Sequence, residues 1–243
     1  MNGFVDIHTH ILPSVDDGAP NIPKALKLVR MAYQNGTRAI ILTPHYRGKF
    51  KKNTPERLRT VFSELSQAVK QELPQMELYL GSEAYYEQEL PVQLTEGNVL
   101  TINNSRYCLL EFSPAVLRSQ VIVGVSEVIR HGFTPIMAHI ERYHVFRKCD
   151  DLLDEVLDMG ALIQLNADSI MGKHGLFIKL YCNKLLKKQL VHFVATDAHD
   201  DSNRPPLLRE CFLLINKKYG TEYSHRLFSD NPRAVIEDTL LNA

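Results

Sequence analysis

Val5-Asp6-Ile7-His8-Thr9-His10 ends the first apolar run and sets two imidazoles one residue apart. Residues i and i+2 of a strand face the same way, so His8 and His10 can aim at one cation. Alone, a His-x-His pair is a weak signal. It gains weight because other apolar runs also end in His, Asp or Glu. His45 follows Ile40-Ile41-Leu42-Thr43-Pro44, Glu83 follows Leu78-Tyr79-Leu80-Gly81-Ser82, and Glu111 follows Tyr107-Cys108-Leu109-Leu110. His139 follows Pro135-Ile136-Met137-Ala138, and Asp197 and His199 follow Phe193-Val194-Ala195-Thr196. Buried carboxylates are costly unless paired or bound to metal. Acids and imidazoles gathered at the same end of several strands therefore point to a metal cluster.

That donor mixture suits Mn, Fe, Zn or Co better than Ca, which prefers oxygen alone. Mn is the first expectation, with two or three ions per chain. A bridging carboxylate can hold two ions about 3.5–4 Å apart, a spacing that clamps the attacking and leaving oxygens of an in-line displacement. Phosphoester hydrolysis comes first, amide or lactone hydrolysis second. Arg142, three residues after His139, and Arg204, five after His199, offer guanidinium forks for phosphate oxygens. Each residue also has a plainer reading. Glu111 could be a buried ion-pair partner, His45 a solvated loop residue after Pro44, Asp197 a turn cap, and either arginine a surface residue. The plain readings must all coincide to explain the set. His131, His144, His174, His192 and His225 fall outside the pattern and read as structural or surface residues. Asn166 reads as site-lining.

Candidate strands that would position these groups are 4–8, 39–43, 77–82, 107–112, 134–139, 161–166 and 192–196, short and rich in Val, Ile and Leu. Helical patterns lie between them. Asn21 caps the first, with Pro23 in its opening turn and Gly36 beyond its end; Thr54-Pro55-Glu56 opens the second. Ser113-Pro114 opens a third that Gly132 closes, and a fourth runs from Asp150 to near Gly160. Further helices are expected over 176–188, 206–220 and 232–241. Strands alternating with helices predict an α/β fold with a parallel sheet, as a closed or distorted barrel or as an open doubly wound sheet. Ligands at the carboxyl ends of the strands suit the barrel.

A length of 243 residues is enough for one such domain. Twenty-eight basic residues balance 28 acidic ones, which leaves no net charge to attract nucleic acid or an anionic membrane. No apolar stretch is long enough for a membrane span. Met1-Asn2-Gly3-Phe4 enters structure at once with no leader pattern, so a cytoplasmic location is expected. Cys108, Cys149, Cys182 and Cys211 form no C-x-x-C pair and fit packing roles in a reducing compartment. None is followed six residues later by Arg, so the thiol-phosphatase loop C-x5-R is missing.

Taken in order, Asp6-Ile7-His8-Thr9-His10-Ile11-Leu12-Pro13, Asp16-Asp17-Gly18, Thr43-Pro44-His45-Tyr46, Gly81-Ser82-Glu83, Leu110-Glu111-Phe112, His139-Ile140-Glu141-Arg142-Tyr143 and Thr196-Asp197-Ala198-His199 resemble the bacterial capsular-polysaccharide tyrosine phosphatases. These belong to the polymerase-and-histidinol-phosphatase (PHP) superfamily. The likeness covers about residues 4 to 204. It implies a distorted seven-stranded (β/α) barrel with a three-metal centre. His8, His10, Glu83 and Asp197 would hold the first metal. Glu83 would bridge to a second, also held by Glu111 and His139. Asp17, His45 and His199 would hold the third. Arg142 and Arg204 match the family's phosphate-contacting arginines. Ile140 departs from the Pro common at that position. The implied reaction is dephosphorylation of phosphotyrosine on the tail of a tyrosine kinase controlling capsular or exopolysaccharide synthesis.

The alternatives share much of this site. A histidinol phosphatase of the same superfamily would differ in the loops over the metals. A nuclease or phosphodiesterase should show a basic groove, and a non-catalytic kinase-binding regulator should show a degraded ligand set. Tyr46, Tyr85, Tyr86 and Tyr143 lie near proposed ligands and could face an aromatic substrate or pack internally.

Overall fold

A computed structural model describes residues 3–241. Met1 and Asn2, which the sequence reading takes straight into structure, lie outside them. Among the described residues, nine strands pair in parallel: β1 (Phe4–Thr9), β2 (Thr37–Leu42), β3 (His45–Tyr46), β4 (Glu77–Leu80), β5 (Glu83–Tyr85), β6 (Tyr107–Glu111), β7 (Thr134–Met137), β8 (Leu162–Asn166) and β9 (Phe193–Ala195). They form a three-stranded run, β1-β2-β4, and a six-stranded run, β3-β5-β6-β7-β8-β9.

The two runs part at two places, at the ends of the strands expected over 39–43 and 77–82. Pro44 separates β2 from β3, and Gly81-Ser82 separates β4 from β5. Proline has no N–H for a ladder, so the pairing must break there. Gly81 N donates to Leu42 O at 2.9 Å and Glu83 N to Pro44 O at 3.0 Å, which carries the bonding across both breaks. His45 and Glu83 consequently sit on strands of their own rather than in loops after strands. Asp197 N donates to His8 O at 2.9 Å and His10 N to Ala198 O at 2.8 Å, so the sheet curls until the segment after β9 meets the end of β1.

Period-two alternation sorts the apolar residues into layers. Ala39 and Ile41 join Val5, Ile7, Leu109, Ile136, Leu162 and Phe193 inside the curl. Ile40 and Leu42 face outward and pack under helices Ile22–Gln34 and Pro55–Glu72. The first helix buries Ala25, Leu28, Val29 and Ala32, a 3.6-period stripe. Asn21 Oδ1 accepts from Lys24 N at 3.0 Å, as its place before Pro23 predicts. Helix Arg118–Arg130 buries Val121, Val125 and Val128 in the same way.

Three helix boundaries differ from the sequence reading. The helix expected from Ser113-Pro114 begins at Arg118, because Val116 N first closes a turn onto Ser113 O at 2.9 Å. The expected 206–220 helix is Arg209–Tyr219. The last helix stops at Ile236 instead of Leu241, and Asp238 turns left-handed at φ 54°. The tail beyond is tied to β6 instead: Tyr107 Oη donates to Thr239 O at 2.6 Å and accepts from Leu241 N at 2.9 Å. Among the described residues, no helix is long and apolar enough to cross a membrane.

Candidate metal centre

The curl ends in a polar layer at the carboxyl ends of the strands. His8, His10, Asp17, His45, Glu83, Glu111, His139, Asp197 and His199 all meet there. His8 and His10 converge as the His-x-His spacing predicts, with Nε2 atoms 3.2 Å apart. Asp197 Oδ1 lies 3.5 Å from His8 Nε2 and 3.3 Å from His10 Nε2. The two oxygens of Glu83 each stand 3.3 Å from one of the same nitrogens. Asp17 Oδ1 lies 3.4 Å from His45 Nε2 and 3.5 Å from His199 Nε2.

The backbone works to aim these groups. His139 and Asp197 adopt φ 34° and 55°, in the left-handed region that costs a non-glycine residue about 1–3 kcal/mol. His139 N is held there by Gln164 Oε1 at 2.9 Å. Gly18 lets the Asp16-Asp17 loop close: a Cβ on it would lie 1.8 Å from His10 O.

Neighbours set the ring orientations. His8 Nδ1 donates to Gln164 Oε1 at 3.2 Å, His10 Nδ1 to Asp16 Oδ2 at 2.6 Å, and His199 Nδ1 to the Asp197 carbonyl at 2.9 Å. Each leaves Nε2 with its lone pair turned to the centre, the pattern of metal-ligating histidines. Gln164 in turn donates to Asn166 Oδ1 at 2.8 Å, and Asn166 Nδ2 donates to Asp197 Oδ2 at 2.9 Å. Asp16, Gln164 and Arg47 were missed in the sequence. Asp16 was passed over for its neighbour Asp17, and Gln164 lies inside β8 with only its alternation with Asn166 as a signal.

Electrostatics fit a cation. Burial opposes ionisation of Glu83 and Asp197. His8, His45, His10 and His139 around the first, and His8, His10 and Arg142 around the second, nevertheless hold both well below the usual carboxylate range. Burial, then the Glu83 charge, pushes Glu111 up to about 8, partly offset by Arg47. Burial drops His139 to about 4 against the pull of Glu83, which keeps the ring neutral with one nitrogen lone pair. His45 Nδ1, Glu83 Oε2, His139 Nδ1, Asp197 Oδ1 and His199 Nε2 are buried without a hydrogen-bond partner. His45 Nδ1 and Glu83 Oε2 approach to 2.7 Å without hydrogen-bond alignment. Crowded acceptors of this kind are what a divalent cation satisfies.

Glu83 stands between Glu111 and His139. Glu83 groups with His45 and Glu111 on one side and with His8 and His139 on the other. Arg47 Nη1 takes both Glu111 oxygens, at 2.9 and 3.1 Å, and holds that carboxylate beside His45. Arg142 and Arg204 flank Asp197, at 2.9 Å from Oδ2 and 2.6 Å from Oδ1. Tyr143 is fully buried and its hydroxyl accepts from Phe112 N at 3.0 Å, so it is a core residue and not part of the mouth. Tyr46 and Tyr85 line a hollow beside the site.

A curled parallel α/β sheet carrying a buried His/Asp/Glu cluster at its strand ends defines the class. The same fold appears in the phosphotriesterase homology protein of Escherichia coli, 12% identical, with a TM-score of 0.63 over 97% of this chain and 99% of that one. The chain belongs to the capsular polysaccharide synthesis CpsB/CapC family, whose model matches residues 4–237. Tyrosine-protein phosphatase CpsB of Streptococcus pneumoniae is 33% identical, covering 98% of this chain and 100% of its own length. Tyrosine-protein phosphatase YwqE of Bacillus subtilis is 30% identical, covering 92% and 88%. The crystal structures of YwqE and CpsB, described as unique metal-dependent tyrosine phosphatases, include a chain 29% identical with a TM-score of 0.91, over 98% of this chain and 96% of that one.

Proposed function

We propose that this chain is a metal-dependent protein-tyrosine phosphatase of capsular or exopolysaccharide synthesis. One observation carries the reading: nine His, Asp and Glu side chains converge at the strand ends, with Arg142 and Arg204 on either side of Asp197. Residues 1–243 would serve as one PHP-type domain. The breaks at Pro44 and Gly81-Ser82, each bridged by a backbone hydrogen bond, support counting the nine strands as seven staves of a distorted barrel.

His8, His10, Glu83 and Asp197 would hold one ion, Asp17, His45 and His199 another, and Glu111 with His139 a third through Glu83. Bound divalent metal, Mn first and Fe, Zn or Co next, would supply Lewis-acid charge for the phosphoryl oxygens and lower the pKa of attacking water. Arg142 and Arg204 would grip the phosphate from the Asp197 side with their forks. Asp197 keeps both guanidiniums in place until phosphate arrives. Asn166 and Gln164 hold Asp197 and His8 in register. A tyrosine leaving group, with a phenol pKa of about 10, demands less proton donation than an alkoxide. The donor set grades from fully buried His8 and His10 to Asp17, about half exposed, which leaves the mouth open to a side chain on a polypeptide. The tail of a bacterial tyrosine kinase is the substrate this reading expects.

The test compares a phosphotyrosine peptide, histidinol phosphate, a phosphoserine peptide and a bis-aryl phosphodiester at matched pH and Mn concentration. The highest kcat/KM should fall on phosphotyrosine. Chelation should abolish it, added Mn should restore it, and mild thiol alkylation should leave it intact. A preference for histidinol phosphate would make the chain a small-molecule phosphatase, and a preference for the diester would make it a phosphodiesterase.

A further inference from the structure

Arg47 leaves the end of β3 two residues after His45. Gly48 follows it at φ 45°, with open space where a side chain would project. The Arg47 side chain is about one-third exposed, so it stands at the rim of the centre. Its reach inward is nevertheless complete. Nη1 donates to both oxygens of Glu111, and Nη2 stands 3.2 Å from His45 Nε2.

These contacts differ in what they exclude. A carboxylate has lone pairs for several partners, so a guanidinium can sit behind Glu111 while the same group serves an ion. An imidazole nitrogen has one lone pair. His45 Nε2 also faces Asp17 Oδ1 at 3.4 Å, in the group formed with His199. That lone pair can serve an N–H donor or a cation, and not both. The same guanidinium holds Glu111 toward His45, apart from His139, although Glu83 reaches both sides.

We propose that Arg47 competes with divalent cations for the His45 lone pair and, once displaced from it, becomes a third arginine for the phosphate. Arg142 and Arg204 approach the cluster through Asp197, whereas Arg47 approaches through Glu111 and His45. The phosphate would therefore be met from a second side. The displaced guanidinium keeps its charge at the rim, and its planar fork suits a phosphate edge as it suits the Glu111 carboxylate. The second half of this proposal rests on the phosphatase reading; the competition does not.

The experiment uses the full chain as wild type, Arg47→Met and Arg47→Lys, with circular dichroism to verify folding. Manganese chloride is titrated calorimetrically into each chelator-treated protein. Competition predicts that Arg47→Met binds its weakest ion about 10-fold or more tightly than wild type does, the scale of one lost charged hydrogen bond. Arg47→Lys should shift the same way by less, since Lys cannot span Glu111 and His45 together. Unchanged or weaker manganese binding in the folded variants overturns the competition. Inorganic phosphate is then titrated into the Mn-saturated proteins. Arg47→Met should bind it about 10-fold or more weakly, and unchanged phosphate affinity overturns the phosphate role. Both readouts are binding constants. Failure of the wild type to hydrolyse phosphotyrosine would count against the functional reading alone.

Discussion

Asp16 accepts a hydrogen bond from His10 at 2.6 Å, with both side chains fully buried. The same carboxylate takes His45 N at 3.1 Å and Gly18 N at 3.0 Å, so it orients two proposed ligands at once. Burial weakens the His10 cation, but the Asp16 charge and hydrogen bond outweigh it and raise the imidazole pKa well above the usual value. An outer carboxylate of this kind makes the opposite ring nitrogen, Nε2, a stronger ligand. Asp16→Asn should lower manganese affinity by roughly 10- to 100-fold while the chain stays folded. Calorimetric titration decides it, and wild-type affinity in the variant would reduce Asp16 to a loop residue.

Glu83 is the carboxylate most central to the cluster. It contacts His139 at 2.8 Å through Oε1 and His45 at 2.7 Å through Oε2. Glu83→Gln should therefore lose more bound metal and more kcat than Glu111→Gln, whose carboxylate serves one side only. Elemental analysis and kinetics on folded protein test the ranking. Equal losses in the two variants would remove the bridging role.

Arg142 and Arg204 reach the cluster through Asp197, a proposed ligand. Replacing either by Ala should lower kcat/KM by about 10- to 150-fold, the range for a charged hydrogen bond of about 1.5–3 kcal/mol. Metal content should stay near wild type, because the freed Asp197 oxygens still face His8 and His10. Lys should rescue only part, lacking the planar fork. If metal content falls by one ion in step with activity, the arginines act by holding Asp197 rather than by gripping phosphate.

His192 gives a pH-dependent stability far from the metal centre. Burial pushes its pKa down to about 4, and its Nδ1 accepts Ile163 N at 3.1 Å. Protonating Nδ1 would leave that amide without an acceptor. The unfolded imidazole, near 6.5, binds its proton first as pH falls, so stability is full above about 6.5 and declines toward 4. The loss over this window should be on the order of 3 kcal/mol. His192→Asn keeps an acceptor without titrating and should flatten this part of the profile. Denaturant melts across the window at fixed chelator concentration measure it. An unchanged slope in the variant would assign the dependence to other groups.

Much of the candidate site was legible because most proposed ligands end a local pattern, whereas Asp17 follows no apolar run and came from the family resemblance alone. Apolar runs before Glu111, His139 and Asp197 mark buried strands, and a charged residue at such an end needs a partner whatever the fold. Which way each strand residue faces was not legible, because Ala39-Ile40-Ile41-Leu42 is apolar throughout and only the curled sheet sends Ala39 and Ile41 inward and Ile40 and Leu42 outward. The breaks after β2 and β4 were less legible. Pro44 and Gly81 were visible, but whether each ends a strand or only kinks it depends on the neighbouring strand that bonds across the gap.

The sequence by itself determined which chemistry was available: a set of imidazoles and carboxylates, no usable thiol loop, and a chain of alternating strands and helices to carry them. These are properties of residue type and of spacing over a few positions. Only the tertiary structure decided which donors share an ion and which neighbours aim them. Gln164 meets His8 across 156 residues, Arg47 reaches Glu111 across 64, and Asp16 hydrogen-bonds His10 where Gly18 lets the loop close on the His10 carbonyl. A hydrogen bond or a metal contact is set by a separation of about 3 Å in space. Sequence spacing carries no record of that separation once the sheet has curled and brought its distant strand ends together.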